Sequence, residues 1–127
     1  MDEKEMISSG YQAVEILKYL FSSHPVDRDF YDSLDLASLY EFSKRHRITA
    51  LLSYALRDYD LGENWINDQR KALRIAILFE SERNKLRSYF EANGIWYVLL
   101  KGCIMDQYYP EFGIREFSDN DILFDRN

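Results

Sequence analysis

The sequence predicts an α/β (α+β) fold in which a helical N-terminal region leads into the start of a mixed sheet. Apolar residues recur at helical spacing through residues 1–93, whereas a β-branched and aromatic run follows Gly94. A second short apolar run lies at residues 122–124, after a stretch that contains Gly and Pro. The predicted organisation is a helical region over residues 1–93 and an α/β region over residues 94–127.

The first two predicted helices are separated by His24-Pro25, because proline disfavours helical geometry in the residue before it. The first helix spans about residues 4–22. Apolar side chains at helical spacing form its predicted buried face: Val14, Leu17, Leu20 and Phe21. The second helix begins around residues 34–36 and runs into a basic segment at residues 44–47. Its predicted buried residues are Leu36, Leu39, Tyr40 and Phe42.

Two further helices are predicted before Gly94. Thr49 is a candidate N-cap for a helix over Ala50–Tyr59, because its hydroxyl can accept a hydrogen bond from a free backbone amide. The residues predicted to pack it are Leu51, Leu52, Ala55 and Leu56. The longest helix covers about residues 65–92, and Gly94 supplies the left-handed residue that commonly ends a helix.

The region after Gly94 predicts a strand, a short helix and a second strand. Ile95–Leu100 is a short continuous apolar run, which is typical of a strand buried on both faces. Cys103–Tyr109 has the length of a two-turn helix, which Pro110 closes. Asp119–Phe124 predicts the second strand. We expect the two strands to pair, either in parallel through the short helix or antiparallel.

Composition and net charge disfavour several classes of protein. The 127 residues include 16 Lys and Arg against 22 Asp and Glu, a net charge of −6, which disfavours a protein that coats nucleic acid. The single Cys103 cannot form an intrachain disulfide, and residues 1–5 lack the cationic start of a signal peptide. No apolar run approaches the ~18 residues of a membrane helix. We therefore predict a cytoplasmic protein without a membrane partner.

Two acids in the second predicted strand are candidate metal ligands. Asp119 and Asp121 are two positions apart, so their side chains project from one face of the strand. Carboxylate oxygens are the ligands that Mg²⁺ prefers, and Mg²⁺ shares its remaining positions with water and substrate phosphates. The alternative interpretation is a solvated acidic strand end.

The turn after the first predicted strand is a candidate phosphate site. Gly102 has no Cβ, so a ligand can approach its backbone, and the helix that begins near Cys103 presents unpaired amides. Lys101 adds a positive charge, and Arg115 can bind a phosphate through two hydrogen bonds. The alternatives are an ordinary turn and a surface ion pair. Taken together, the phosphate and metal candidates match what transfer of a nucleotidyl group to a hydroxyl requires.

An ordered set of motifs then resembles the signature of the uncharacterised nucleotidyltransferase family, a branch of the polymerase-beta-like nucleotidyltransferase superfamily. The motifs are Val98–Gly102, Tyr108–Pro110, Gly113–Arg115 and Asp119–Leu123, and the helical segment Leu36–Leu56 is similar to the lead-in of that family. The resemblance implies Mg²⁺ or Mn²⁺ as cofactor and an NTP as substrate. It also implies a hydroxyl acceptor, which would be a small molecule, a protein or a nucleic acid.

The resemblance assigns roles to individual residues. Asp119 and Asp121 would be the catalytic, metal-binding acids, and Lys101, Gly102, Cys103 and Arg115 would bind the nucleotide. Cys103 departs from the serine of many superfamily members. Asn120 stands between the two acids, where an apolar residue is usual, and a polar group there costs stability unless it is hydrogen-bonded.

A third departure concerns the superfamily's third carboxylate, which comes from a later strand than those in this sequence. The sequence therefore predicts the front of a longer catalytic domain or a degenerate version of one, which binds an NTP with Mg²⁺ and transfers a nucleoside monophosphate only in a complete form. The alternative function is a non-catalytic helical interaction or dimerisation module, because an unpaired sheet edge favours a homodimer or a partner strand.

Overall fold

The computed structural model describes residues 1–100, 102–116 and 120–125. These residues form a mostly helical structure with one two-stranded antiparallel sheet, which confirms the α+β class. In chain order the elements are α1 (Glu3–Phe21), α2 (Arg28–Asp32), α3 (Leu36–Arg45), α4 (Thr49–Ala55), α5 (Glu63–Ala92), β1 (Tyr97–Leu99), α6 (Gly102–Met105), a 3₁₀ helix (Asp106–Tyr108) and β2 (Ile122–Phe124).

The chain divides into two compact units, Met1–Arg70 and Lys71–Asn127. This division falls inside α5 and reflects how residues pack. The domain boundary predicted between residues 93 and 94 instead follows the change from helix to strand, and it stays a prediction. Among the described residues, no helix is both long enough and apolar enough to span a lipid bilayer.

Small residues on α1 face the other helices of the first unit. The buried residues of α1 are Ser9, Ala13 and Ile16. A Cβ at Gly10 would lie 3.6 Å from the ring of Phe42 on α3, which shows how closely the two helices approach. The predicted buried face of α1 was therefore wrong in part, since Val14 is 51% and Phe21 56% exposed. The prediction relied on the spacing of large apolar residues. Where two helices pack closely, however, the buried residues between them are often small.

Helix α2 was not predicted. Its N-cap Asp27 accepts a hydrogen bond of 2.9 Å from the amide of Phe30 and another of 2.9 Å from the hydroxyl of Tyr19. These two bonds hold the pKa of Asp27 below its ordinary value. A helix of five residues is too short for hydrophobic periodicity to reveal, although an N-cap aspartate was a readable signal.

The predicted N-cap role of Thr49 was wrong. Ile48 is the N-cap of α4 and makes no side-chain cap hydrogen bond, while Thr49 is the first helical residue. The hydroxyl of Thr49 instead lies 2.9 Å from the hydroxyl of Ser43 on α3, and both side chains are buried. Helix α4 also ends at Ala55 rather than Tyr59, because bonds between residues three apart replace the helical pattern after it.

One apolar cluster holds the first unit together. Helices α1, α3 and α4 pack on one another, and the start of α5 contributes a tryptophan. The buried members are Ala13, Ile16, Val26, Leu39, Leu52, Ala55, Leu56 and Trp65. Leu52, Ala55 and Leu56 were among the predicted packing residues of α4, and their burial confirms that part of the prediction.

The second unit is a β-hairpin with a long connection, packed on the C-terminal part of α5. Gly94, at a φ of +65°, ends that helix as predicted. Strands β1 and β2 pair antiparallel with Val98 opposite Leu123, which confirms the predicted pairing and selects its antiparallel alternative. The prediction that β1 is buried on both faces was wrong, since Val98 is 39% exposed. Within the described residues the sheet has two strands, and α5 contacts only one face of it.

Candidate active site

The two faces of the hairpin carry different chemistry. Phe124 stacks on Phe90 of α5 with ring centroids 5.3 Å apart, and the amide of Asn120 donates a hydrogen bond of 3.0 Å to the carbonyl of Phe79, also on α5. Residues 120, 122 and 124 therefore face α5. Because side chains alternate along an extended chain, Asp121 and Leu123 lie on the opposite face, where both are exposed.

A backbone hydrogen bond joins Asp121 to the end of β1. The amide of Leu100 donates to the carbonyl oxygen of Asp121 at 2.9 Å, which extends the antiparallel pairing by one residue beyond each strand. Helix α6 begins at Gly102, two residues after Leu100. Since consecutive Cα atoms are about 3.8 Å apart, the Cα of Gly102 lies within about 8 Å of that of Leu100. Gly102 and Asp121 thus belong to one end of the hairpin.

Some of the predicted site residues lie outside the part of the chain that the structure describes. The predictions for Lys101 and Asp119 fall outside the described residues, and so does the side chain of Cys103. The two-turn helix predicted over Cys103–Tyr109 is one α-helical turn, α6, followed by one 3₁₀ turn.

Arg115 forms an ion pair, which is the alternative that the sequence left open for it, although its partner Asp106 was not predicted. Its guanidinium lies 3.5 Å from a carboxylate oxygen of Asp106 in the 3₁₀ helix, and the two side chains are 28% and 19% exposed. That oxygen, Oδ1, is buried and accepts no hydrogen bond in the described part of the chain. The contact is therefore an ion pair rather than a well-formed hydrogen bond. The sequence signal for this partner was that Asp106 is the one acid in the segment Cys103–Tyr109.

Burial has the largest effect on the pKa of Asp106. It raises the pKa of the Asp106 carboxyl above its ordinary value, because leaving water disfavours the charged form. The positive charges of Arg115 and Arg83 oppose this shift, and the negative charge of Glu80 adds to it. Arg83 and Glu80 both lie on α5, so charges from the long helix act on the carboxylate that holds Arg115.

The loop that carries Arg115 is fixed against α5 by a glycine. Gly113 has a φ of +87°, and a Cβ there would lie 2.7 Å from Cδ1 and 3.2 Å from the Cα of Leu73. Such distances leave no room for a side chain, so the backbone of the loop lies directly on the helix. The next residue, Ile114, is only 2% exposed. Arg115 therefore projects from an anchored segment.

Asn120 is hydrogen-bonded through both ends of its amide. Besides the bond to Phe79, its oxygen accepts a hydrogen bond of 3.3 Å from the guanidinium of Arg83. These two bonds satisfy the polar group that the sequence places beside Asp121, so its position does not carry the cost of an unpaired buried amide. Sequence reasoning missed Arg83, which is 37 residues away in the chain.

One cleft in this unit lies on the face of the hairpin opposite to that of Asp121. This cleft of about 760 Å³ lies where the hairpin meets α5 and is lined mainly by apolar side chains. Its lining residues include Leu86, Tyr89, Phe90, Ile122 and Phe124. Gly102 and Asp121 are not among the described residues that line this cleft.

The donor chemistry of the exposed face suits a divalent cation. Asp121 supplies a hard carboxylate oxygen in contact with solvent, which is the ligand type of Mg²⁺. Among the described residues no group of three or more His, Cys, Asp or Glu side chains lies close enough to hold a metal ion. Asp119, the other predicted ligand, is outside those residues.

Comparison with known proteins gives one match. The family model described as uncharacterised nucleotidyltransferase matches residues 32–127, which include every predicted site residue. The comparisons with curated proteins and with solved structures gave no match.

Proposed function

The chain belongs to the uncharacterised nucleotidyltransferase family, and on that premise we propose that it binds an NTP together with Mg²⁺ or Mn²⁺ and, in a complete form of the catalytic domain, transfers a nucleoside monophosphate to a hydroxyl acceptor. The family match over residues 32–127 is the observation that carries the proposal. The common location of Gly102 and Asp121 at one end of the hairpin supports it.

Asp119 and Asp121 are the proposed metal ligands. The exposure of Asp121 on the face away from α5 supports its part in this role. A bound divalent cation would neutralise phosphate charge and stabilise the leaving pyrophosphate. The two carboxylates would hold the cation and orient it toward the triphosphate, so their own contribution is electrostatic positioning.

The proposed phosphate ligands are Lys101, the backbone around Gly102 and Cys103, and Arg115. The ion pair with Asp106 supports the role of Arg115, because it restrains a long side chain that would otherwise lose conformational freedom on binding. Lys101 would add a point charge to the same anion.

A transfer assay tests the proposed reaction. The full chain is incubated with Mg²⁺ or Mn²⁺ and NTPs labelled at the α-phosphate, with panels of small-molecule, protein and RNA acceptors. We expect label on one acceptor class, lost in Asp119→Asn/Asp121→Asn and retained in the control Asp125→Asn. Equal labelling by the double variant would contradict the proposed metal ligands.

A second candidate function is self-association, and one observation favours it. The hairpin face away from α5 exposes a group of large apolar side chains: Trp96, Val98, Leu100 and Leu123. A second copy of this chain is the proposed occupant of that face. Sedimentation velocity is expected to show a dimer that Trp96→Lys with Leu123→Lys dissociates, and a monomer at all concentrations would exclude this function.

A further inference from the structure

The segment before Asp121 is attached to α5 at two points. The Asn120 side chain donates 3.0 Å to the carbonyl oxygen of Phe79 and accepts 3.3 Å from the guanidinium of Arg83. Phe79 and Arg83 are four residues apart on α5, so they occupy successive turns of one helix face. The planar amide of Asn120 is thereby held at both ends.

Asp121 itself is held from the other side. Its carbonyl oxygen accepts the 2.9 Å hydrogen bond from Leu100, which fixes its peptide group in the antiparallel ladder. Its Cα is about 3.8 Å from that of Asn120, so the side-chain anchors of Asn120 act on the adjacent peptide. Asp121 therefore has an exposed carboxylate on a backbone that is fixed on both sides.

The same arginine also acts on the neighbouring ion pair. The positive charge of Arg83 stabilises the ionised form of Asp106, whose carboxylate lies 3.5 Å from Arg115. Arg83 therefore donates a hydrogen bond to Asn120, and its positive charge also favours the ionised form of Asp106.

We propose that Arg83 and Asn120 are positioning residues that hold Asp121 in place to bind a divalent cation with the nucleotide. This inference rests on the proposed function. Mg²⁺ demands near-ideal octahedral geometry, so a carboxylate that is free to move binds it less well than a fixed one. Neither Arg83 nor Asn120 touches the cation, because both side chains interact with α5 or with each other on the opposite face.

A role of Arg83 and Asn120 in positioning Asp121 can be distinguished from a role in stabilising the fold alone. If the hydrogen bonds only stabilised the fold, their loss would lower the melting temperature and leave the cation affinity of the folded protein unchanged. If they position Asp121, their loss weakens cation binding at temperatures where the protein is fully folded. Affinity measured well below the melting temperature separates the two.

The test is a Mn²⁺ titration of the full chain followed by electron paramagnetic resonance, with and without ATP. Melting temperature and circular dichroism are measured on the same samples. The variants are Asn120→Leu, which fills similar space without hydrogen bonds, Arg83→Met, which removes the guanidinium, and Arg83→Lys, which keeps a donor. The control is Lys85→Met, which removes an exposed charge from the same helix.

We expect Asn120→Leu and Arg83→Met each to bind Mn²⁺ about tenfold more weakly, as is usual when partners behind a metal ligand are removed. The double variant is expected to match Asn120→Leu, because both substitutions act through one amide. Arg83→Lys and Lys85→Met should stay within about twofold of the unsubstituted chain, since an ammonium supplies the single donor that Asn120 uses.

Three outcomes would overturn the inference. Folded variants with unchanged Mn²⁺ affinity would show that the pair is only structural, while the proposed function would stand. An equal loss in Lys85→Met would show a general effect of charge. Absence of Mn²⁺ binding by the unsubstituted chain, with and without ATP, would remove the proposed function and this inference together.

Discussion

The amide of Leu100 and the carbonyl oxygen of Asp121 are joined by a hydrogen bond of 2.9 Å. Directly opposed residues of an antiparallel pair place their side chains on the same face, so Leu100 and Asp121 share the face that α5 does not contact. This one bond extends the pairing beyond β2 and brings Asp121 to the strand end from which the chain turns into α6. This hydrogen bond is therefore the reason that Asp121 and Gly102 lie at the same end of the hairpin.

The buried hydroxyl pair between α3 and α4 yields a stability prediction. The Ser43 hydroxyl donates to the carbonyl of Tyr40 at 2.7 Å, so the hydroxyl of Thr49 must donate to Ser43. Thr49→Val removes one hydrogen bond and is expected to cost about 1 kcal/mol, whereas Ser43→Ala leaves a buried hydroxyl unpaired and is expected to cost about 1–3 kcal/mol.

Urea unfolding of the two variants and of Ser43→Ala/Thr49→Val measures this difference. We expect the double variant to lose less stability than the sum of the single ones, because replacing both partners leaves no unpaired hydroxyl. Strict additivity would show that the two hydroxyls do not depend on each other.

Gly113 is expected to be intolerant of any side chain. Gly113→Ala forces a φ of +87° on alanine and a Cβ 2.7 Å from Cδ1 of Leu73. We expect a loss of about 1–3 kcal/mol from the backbone conformation alone, and more from the contact with Leu73. Thermal and urea unfolding measure it.

Gly94→Ala is the matched control, because Gly94 has a φ of +65° and nothing within 4 Å of an added Cβ. It is expected to lose less stability than Gly113→Ala. Leu73→Ala should recover part of the loss in the Gly113→Ala background. Equal losses at the two glycines would show that the loop moves away from α5 at no cost.

The raised pKa of Asp106 predicts an unusual dependence of the folding stability on pH. Burial raises its pKa in the folded chain, so this group stabilises the fold most below the unfolded pKa, ordinarily 3.8, and the contribution is lost as the pH rises through the folded pKa. Asp106→Asn removes the charge, so we expect the variant to be more stable than the unsubstituted chain at pH 7, with the difference shrinking below pH 3.8.

Unfolding of Asp106→Asn and of the unsubstituted chain between pH 3 and pH 8 tests this sign. A variant that is less stable at pH 7 would contradict the prediction. It would mean that the attraction of Asp106 to Arg115 outweighs the cost of its burial.

Local patterns in the sequence predicted part of this fold correctly. The strand pairing and the helix end at Gly94 follow from short runs of apolar residues and from the backbone freedom of one glycine. Both signals lie within a few residues of the element that they specify. For the same reason Leu52 and Leu56 were correctly expected to be buried in the first unit.

The features that sequence reasoning missed depend on residues far apart in the chain. Arg83 and Asn120 are 37 positions apart, and no local periodicity relates them. The buried face of α1 was misjudged because Ser9 and Ala13 are small, and their burial depends on the helices that approach them. Asp106 was missed as the partner of Arg115 for the same reason, since their ion pair depends on how closely the 3₁₀ helix and the loop approach.

The central claim is that Asp119 and Asp121 bind a divalent cation together with a nucleoside triphosphate. Isothermal titration of preformed MnATP into the chain measures this binding, with Asp119→Asn/Asp121→Asn as the variant and Asp125→Asn as the control. We expect binding by the unsubstituted chain and by the control, and none by the double variant. Unchanged binding by the double variant, or no binding by the unsubstituted chain, would contradict it.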